Sequence, residues 1–473
     1  MRTEDWTVIV LRRKPSAIDE KKSSVRKTYA TIISVPPYAR RGVMPSPKNW
    51  GIYVYFAADV PQRQMQLGAW RNLQALASAG SSDSVGITAM IDLPNRDTEY
   101  YLIPQKPPGI KRWAVLPDRF LPNVNSASTY ALYDFIQWSH RNCPATNVAL
   151  VCWGHGYALD DFDPRIQPSA SFDNEDQDDD SMGRSSGRSA RSFPGKRGQE
   201  LKLLYDATHD SVLNNLDFAE AICNYNTRFR DGKKIQILGL DCCNMAMAEV
   251  LCEFQDCTEY AIAAETELPF RSWLSVQILQ KFIATSHPNA EEFAKDAVRD
   301  FIGSLGSASS TYVGLSACNL GAFKNLEDAM MQLTSALYKA IDEPDNRAKV
   351  SKAWFCDVSF VVDGLIDLYS FCSFLRTLLK NSPVDNAALE VQRALDKVIV
   401  LSKTAPNLPE RKIALSKGLS FWFPPWIQHP SVDYFQINQS RDYLYYGYPK
   451  TRFAQATGWD RFLYKLFYIT QGQ

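Results

Sequence analysis

The sequence predicts an α/β fold, a sandwich in which helices flank a mainly parallel central sheet. From residue 50 onward, short continuous apolar segments alternate with longer segments of helical periodicity. Strands that read as unbroken apolar runs are buried on both faces, as in parallel sheets covered by helices. The chain has 473 residues and is 45% hydrophobic, which is enough for a large core or for one core with an appended part.

The first half of the chain carries this alternation most clearly. Residues 51–56 are aromatic and β-branched and predict the first strand. The elements that follow are predicted as a helix over 65–79, strands over 85–92 and 100–103, a helix over 126–140, a strand over 147–153, a helix over 216–229 and a strand over 235–240.

The second half is richer in helices. Strands are predicted over 260–264, 311–316 and 418–424, and helices over 273–285, 290–304, 320–341, 364–380, 385–402 and 457–470. We therefore divide the chain into three parts. An N-terminal extension over 1–48 precedes the main domain over 49–320, and a largely helical C-terminal α/β part over 321–473 packs on that domain.

One segment, residues 158–212, does not fit the alternation. It contains an acidic run at 173–180, followed by residues 181–198, which are rich in Ser, Gly and Arg. Such a composition cannot bury enough apolar surface to order itself. The segment is predicted to be a flexible insert, either a functional loop or a disordered one.

Charge and cysteine usage exclude several classes of function. The net charge is zero and the pI is about 6.9, so no basic surface for nucleic acid or membrane is expected. The N-terminus lacks the order of a secretory signal, and no apolar run has the length of a spanning helix. Ten cysteines without zinc-type spacing indicate reduced thiols and no metal site. These observations predict a soluble, cytoplasmic protein, with no phosphate-binding glycine loop.

The segment 239–245, Gly-Leu-Asp-Cys-Cys-Asn-Met, follows the predicted strand over 235–240. Alternate residues at a strand end point to the same side, so Asp241 and Cys243 should share one face and Cys242 should face away. A thiol beside a fixed carboxylate indicates a nucleophile next to an acidic pocket. The alternative for Asp241 is the N-cap of the helix that follows.

A base for this thiol is offered by His155, one of only five histidines. It follows the strand predicted over 147–153, and the glycines at 154 and 156 allow a sharp turn there. Two parallel strands that end near His155 and Cys243 would bring an imidazole and a thiol to the same sheet edge. This is the minimum for nucleophilic catalysis by cysteine.

The segments 153–156 and 241–245 resemble the His and Cys signatures of the clostripain family of cysteine peptidases, which are caspase-like in fold. The resemblance extends to residues 53–59, 367–369 and 418–424 and covers about residues 50–470. It departs from the family at 60–63, where the family is rich in Asn, and at Cys242 and Asn244.

The resemblance implies a role for each site residue. Cys243 would be the nucleophile and His155 the general base and acid. Asp241 would select Arg or Lys before the cut bond, and a carboxylate does pair well with a guanidinium. The oxyanion would be held by the backbone N–H groups of Gly156 and Cys243. Protein substrates with exposed Arg or Lys would be the partners.

The same resemblance implies that the insert is an activation linker, because caspase-like enzymes are matured by cleavage of such a linker. It offers bonds of the kind that an Arg- or Lys-specific peptidase cuts, after Arg184, Arg188, Arg191, Lys196 and Arg197. The enzyme would be a zymogen, activated by itself or by an upstream protease, as in bacterial immune cascades that defend against viruses. No cofactor is expected. Some relatives use Ca²⁺, but the acidic run lacks the glycine and regular spacing of an EF-hand.

Two alternatives stay open at this point. The chain could be a silent scaffold on the same fold, in which the dyad never aligns. It could also be a cysteine transferase or amidase that uses the dyad without needing a basic substrate, in which case loss of Asp241 would matter little.

Overall fold

The computed structural model describes residues 45–107, 109–110, 114–158, 202–285, 289–305, 313–354, 364–405, 416–424, 444 and 447–471. Most of the predicted N-terminal extension, the acidic run at 173–180 and all five predicted cleavage sites lie outside these residues.

The described strands are short, and most are fully buried. They are β1 (Lys48–Ala57), β2 (Val85–Asp92), β3 (Thr98–Ile103), β4 (Arg119–Leu121), β5 (Ala145–Trp153), β6 (Gly156–Ala158), β7 (Lys202–Asp206), β8 (Ser211–Asn214), β9 (Ile235–Asp241), β10 (Thr258–Ala264), β11 (Gly314–Asn319), β12 (Leu365–Asp367), β13 (Ile399–Thr404) and β14 (Ser420–Trp422).

The helices alternate with the strands and lie on both sides of them. They are α1 (Arg63–Ala79), α2 (Thr129–Asn142), α3 (Asn215–Phe229), α4 (Ala248–Glu253), α5 (Val276–Ala284), α6 (Ala290–Ser304), α7 (Phe323–Ala340), α8 (Pro344–Trp354), α9 (Leu368–Leu378), α10 (Pro383–Val398), α11 (Arg452–Thr457) and α12 (Trp459–Gln471).

Local sequence signals fix many of the helix starts. Ser128 caps α2 by accepting a hydrogen bond from the Ala131 amide, and Asn214 caps α3 in the same way. Ser382 caps α10, and a proline follows it in the first turn. Backbone N–H groups in the first turn make no hydrogen bond within the helix, so the proline removes none. These caps place the helix boundaries close to the predicted ones.

In the described residues, nine strands form one mixed sheet in the order β13-β11-β10-β9-β5-β1-β2-β3-β4. The neighbouring pairs from β10 through β9, β5 and β1 to β2 are all parallel, and the outer pairs are antiparallel. The chain reverses its direction of winding between β1 and β5. Ligands of such sheets bind outside the carboxyl ends of the strands at this switch point.

Each face of the sheet carries its own core. Alternate residues of β5, such as Leu150 and Cys152, pack with α2, α3, α7 and the C-terminal helices. The intervening residues, such as Val151 and Trp153, pack with α1, α5 and α6. We call the first side the wide face and the second the narrow face. The sheet is thus buried on both sides, as its apolar strands predict.

The structure confirms the predicted fold class and most of the predicted elements, with three corrections. The helix predicted over 385–402 ends at Val398, because the β-branched segment 399–404 pairs with β11 as the sheet edge. The helix predicted over 364–380 begins only at Leu368, after β12. The predicted insert extends too far, because β7 and β8 form a hairpin over 202–214 that buries Leu203 and Leu213.

The cysteines of the described part are free thiols, in agreement with the prediction. Within the same part of the chain, no helix is long and apolar enough to cross a membrane. The division into an extension, a main domain and a C-terminal part stays a prediction. The edge strand β13, from beyond residue 320, does belong to the main sheet.

Candidate active site

The pairing register of β5 and β9 sets the geometry of the site. The two strands are parallel, and Trp153 lies opposite Asp241 in the last pair. The Gly154 amide extends this register by donating to the Asp241 carbonyl at 3.4 Å. Two residues beyond the last pair on each strand come His155 and Cys243, which therefore leave the sheet side by side.

The two adjacent cysteines, Cys242 and Cys243, lie on opposite faces of the sheet. Trp153 and Cys243 both belong to the narrow face, whereas Cys242 is 1% exposed in the wide face. The Cys242 thiol donates to the Cys152 carbonyl at 3.5 Å. The expected alternation of the two adjacent cysteines therefore holds in the structure.

Glycine is required where the two turns touch. A Cβ at Gly156 would lie 2.1 Å from the Cys243 carbonyl oxygen, and one at Gly154 would lie 2.7 Å from a methyl group of Leu204. Real side chains do not approach so closely, so a larger residue at either position would push the turns apart. The backbone of Gly156 therefore packs directly against that of Cys243.

The chain reverses immediately after Cys243. Asn244 adopts a left-handed conformation with φ of 58°, which Asn tolerates better than most residues, and its amide donates to the Thr266 carbonyl at 3.0 Å. Helix α4 begins only at Ala248, with Met247 as its N-cap. Asp241 is therefore not the cap of that helix, which was the alternative to a binding role.

The Cys243 thiol and the His155 imidazole are both partly exposed, and their surroundings shift both pKa values towards the neutral forms. Burial raises the pKa of the Cys243 thiol to about 12, although the Leu268 amide donates to its Sγ at 3.3 Å. Burial also lowers the pKa of His155 to about 4. His155 Nε2 lies 3.3 Å from Gln62 Oε1. The attacking species is the thiolate, so the thiol must lose its proton before it reacts.

Asp241 is 3% exposed, on the same face as the thiol. Ser272 Oγ donates to its Oδ2, and within the described residues its buried Oδ1 has no hydrogen-bond donor. Burial raises the pKa of Asp241 to about 7, while the hydrogen bonds from Ser272 and the Trp273 amide oppose this rise. A cationic group brought to this carboxyl would recover the free energy that burial costs it.

The structure thus brings together Asp241, His155, Gly156 and Cys243 at one sheet edge. It also adds residues that the sequence did not indicate: Gln62 beside the imidazole, the Leu268 amide at the thiol, Ser272 at Asp241, and Glu267, whose charge further raises the pKa of the thiol. Gln62 lies in the stretch 60–63, where the chain departs from the expected pattern. That departure was the one signal that could have identified it.

Comparison with known proteins adds three findings. A family model described as the clostripain family matches residues 199–465, which include Cys243 but not His155. The structure is similar to an inactive zymogen of a C11 protease from Parabacteroides distasonis, with a TM-score of 0.56 and 15% identity over 88% of this chain and 99% of that chain. No curated protein matches the chain.

Two further solved structures come from a secreted C11 cysteine protease of Bacteroides thetaiotaomicron. One, in complex with an irreversible peptide inhibitor, has a TM-score of 0.56 and 12% identity over 87% of this chain and 99% of that chain. The other has a TM-score of 0.56 and 14% identity over 87% of this chain and 100% of that chain. At these identities the three structures establish a common fold.

Proposed function

The chain belongs to the clostripain family of cysteine peptidases, and from this premise we propose that it is an endopeptidase cutting after Arg or Lys. Cys243 is the nucleophile and His155 the general base and acid. The single observation that supports the proposal is the register of β5 and β9, in which Trp153 pairs with Asp241, so that His155 and Cys243 each follow the last pair by two residues.

The reaction follows from these positions. His155 removes the thiol proton, and the Cys243 thiolate attacks the scissile carbonyl carbon. The N–H groups of Gly156 and Cys243 stabilise the oxyanion of the tetrahedral intermediate. His155 then protonates the leaving amine, and water hydrolyses the thioester with the imidazole again as base. The contact between Gly156 and Cys243 supports this shared oxyanion site.

Specificity is assigned to Asp241. It is a buried carboxyl on the thiol's face, and one of its oxygens has no donor within the described residues. A substrate guanidinium could supply two parallel donors to such a group, and a lysine ammonium could supply one. The preference for Arg or Lys rests on this match.

We assign control of the peptidase activity to the insert over 158–212. In the sequence, residues 159–201 of this insert follow β6, which begins immediately after His155, and precede β7, whose Leu204 amide donates to the His155 carbonyl at 2.8 Å. The insert is therefore anchored on both sides of the catalytic base. A neutral thiol and a neutral imidazole fit a form that waits for activation. A relative of the same fold is described as an inactive zymogen.

The test compares wild type, Cys243→Ala and a variant with Ala at Arg184, Arg188, Arg191, Lys196 and Arg197. Wild type should become two associated chains and gain activity, while the five-fold Ala variant should stay whole and at the zymogen rate. A matched control exchanges Arg and Lys at the same five positions, and it should still be cut. Full activity from the uncut Ala variant would exclude the switch.

Cys243→Ala separates two modes of activation. If the protein cuts itself, this variant stays whole on storage. If an upstream protease of an immune cascade in the cytoplasm makes the cut, wild type and Cys243→Ala both stay whole until that protease is added. Labelling with an arginyl chloromethyl ketone then tests for a silent scaffold, because only an aligned dyad in the cut protein forms a Cys243 adduct.

A further inference from the structure

Three aspartates meet at the same sheet edge as the candidate active site, but beyond different strands. Asp59 follows β1, Asp92 ends β2, and Asp206 ends β7 of the hairpin. In the described residues, one carboxylate oxygen from each lies within 4.8 Å of the others. This cluster could not be predicted from the sequence, because its three residues come from three distant segments that only the fold brings together.

These carboxylates are buried and poorly partnered. All three residues are 0% exposed. Neither oxygen of Asp59 accepts a hydrogen bond, and Oδ2 of Asp92 is likewise without a donor within the part of the chain described. Burial raises the pKa of Asp59, and the neighbouring Thr208 opposes this rise only in part. An acid buried in this way lacks the compensation that such groups almost always have.

The remaining oxygens already have local donors. Thr98 Oγ1 donates to Asp92 Oδ1 at 2.7 Å, and the Ser126 amide donates to Asp206 Oδ2 at 2.9 Å. His209 lies 2.9 Å from the other oxygen of Asp206. Donors therefore hold Asp92 and Asp206 in place from outside, while the unpartnered oxygens of Asp59 and Asp92 stay available to a shared ligand.

We propose that Asp59, Asp92 and Asp206 bind a divalent cation, Ca²⁺ in preference to Mg²⁺. Three carboxylates are hard oxygen ligands, and oxygens within 4.8 Å of one another are close enough to bind one ion. Mg²⁺ demands nearly ideal octahedral geometry, whereas Ca²⁺ accepts irregular sets of oxygen ligands such as carboxylates from three separate segments. This site lies outside the proposed catalytic residues and differs from the acidic run at 173–180.

The cation has a structural task that the contacts define. It joins the ends of β1 and β2 to the hairpin, where the Ala207 amide already donates to the Asp59 carbonyl at 2.7 Å. The same loop carries Gln62, next to the imidazole of His155. Binding therefore braces both segments that contact His155, from the opposite face of the sheet.

The experiment uses the full chain as Cys243→Ala, so that its result does not depend on peptidase activity. The protein is stripped with EDTA, dialysed, and titrated with CaCl₂ by isothermal calorimetry and thermal unfolding. We expect one saturable site and a Tm that rises with Ca²⁺ concentration, because the ion binds only the folded chain. A parallel titration with MgCl₂ should show weaker binding.

Two variants locate the site. Asp92→Asn and the double variant Asp59→Asn with Asp92→Asn should lose the calorimetric site and the Tm response. Both should fold without Ca²⁺, since removing charge relieves repulsion among the acids. Glu249→Gln, which alters a buried carboxyl elsewhere, should keep the site. So should a variant in which the acids of 173–180 are amides.

Each possible result either supports the proposed cation site or overturns it. No Ca²⁺ response in the parent, or an undiminished response in the Asp92→Asn variant, overturns the proposal. A response lost only when the acids of 173–180 are amides overturns it as well. Equal affinity for Mg²⁺ overturns the choice of Ca²⁺. Loss of the response in the aspartate variants alone supports it.

Discussion

Two clusters of ionisable groups lie at the same edge of the central sheet but on opposite faces. Cys243 and Asp241 lie on the narrow face. The three aspartates lie towards the wide face, where the Tyr55 hydroxyl donates to the Ser126 carbonyl at 2.8 Å and the Ser126 amide donates to Asp206. Ends of buried parallel strands position Cys243 and Asp241 after β9 and Asp59 and Asp92 at β1 and β2, whereas Asp206 belongs to the antiparallel hairpin.

The clusters differ in exposure and in charge. Cys243 and His155 are partly exposed, and the pKa of each is shifted in the direction that favours its neutral form. The aspartates are fully buried and acidic, so they suit a small cation and not a peptide. The carboxyl edge of a sheet therefore does not specify chemistry by itself. The two clusters differ in the face on which they lie and in how deeply they are buried.

The largest expected effect is loss of the dyad. Cys243→Ala and His155→Ala should each lower kcat/KM for a peptidyl-arginine substrate by roughly 10⁴- to 10⁶-fold, because members of such a unit act together. Circular dichroism and Tm should change little, since both side chains are partly exposed at strand ends. Retention of peptidase activity by either variant would place the chemistry elsewhere.

A smaller effect is expected at Asp241, whose carboxyl is proposed to bind the substrate cation. Asp241→Ala should lower kcat/KM for cleavage after Arg by roughly 30- to 5,000-fold, which corresponds to the ~2–5 kcal/mol lost when one partner of a buried charged pair is removed. Cleavage after citrulline, the neutral analogue of Arg, should fall far less. Equal losses for both substrates would favour an amidase or transferase that needs no basic group.

The pH dependence should sharpen this contrast, because burial raises the pKa of Asp241 to about 7. The carboxyl gains its negative charge as the pH rises through that value. The ratio of kcat/KM for the Arg substrate to that for the citrulline substrate should therefore rise roughly tenfold between about pH 6 and pH 8. The ratio cancels titration of the dyad, and it should be flat in Asp241→Asn.

The same raised pKa has a consequence for stability. The folded protein holds this proton up to about pH 7, whereas the unfolded chain releases it near the ordinary pKa of aspartate. The contribution of Asp241 to the free energy of unfolding is therefore greatest below the ordinary value and falls as the pH rises towards 7. Asp241→Asn should remove this part of the pH dependence.

The central part of the fold could be predicted from sequence because its signals are local. Strand β2 and helix α6 lie where periodicity placed them, over 85–92 and 290–304. Strand β13 could not be found in this way, since its residues continue a helical pattern and become a strand only by pairing with β11, far away in the chain. The hairpin of β7 and β8 was not predicted, because it follows a polar insert and its residues were assigned to that insert.

The residues of the candidate site also fall into those that could be predicted from sequence and those that could not. Cys243 and His155 could be predicted because each follows a recognisable strand. The Leu268 amide and Ser272 could not, because loops bring them to the site and loops carry no periodicity. The acidic cluster was missed for a related reason. Asp59 and Asp92 each looked like an ordinary strand end, and only the packing of three segments reveals their shared, unpartnered oxygens.

The smallest expected effect is that of Cys242→Ala, which tests whether the two faces are truly separate. The Cys242 thiol is buried in the wide face, donates to the Cys152 carbonyl, and has its pKa raised by burial well above the usual value for cysteine. Its removal leaves a small cavity, so the free energy of unfolding should fall by about 1 kcal/mol. The value of kcat/KM should stay near that of wild type, and iodoacetamide should still modify Cys243 in the activated enzyme. If Cys242→Ala abolished activity while Cys243→Ala retained it, the thiol of the wide face would be the nucleophile. The assignment of the catalytic thiol to the narrow face would then be wrong.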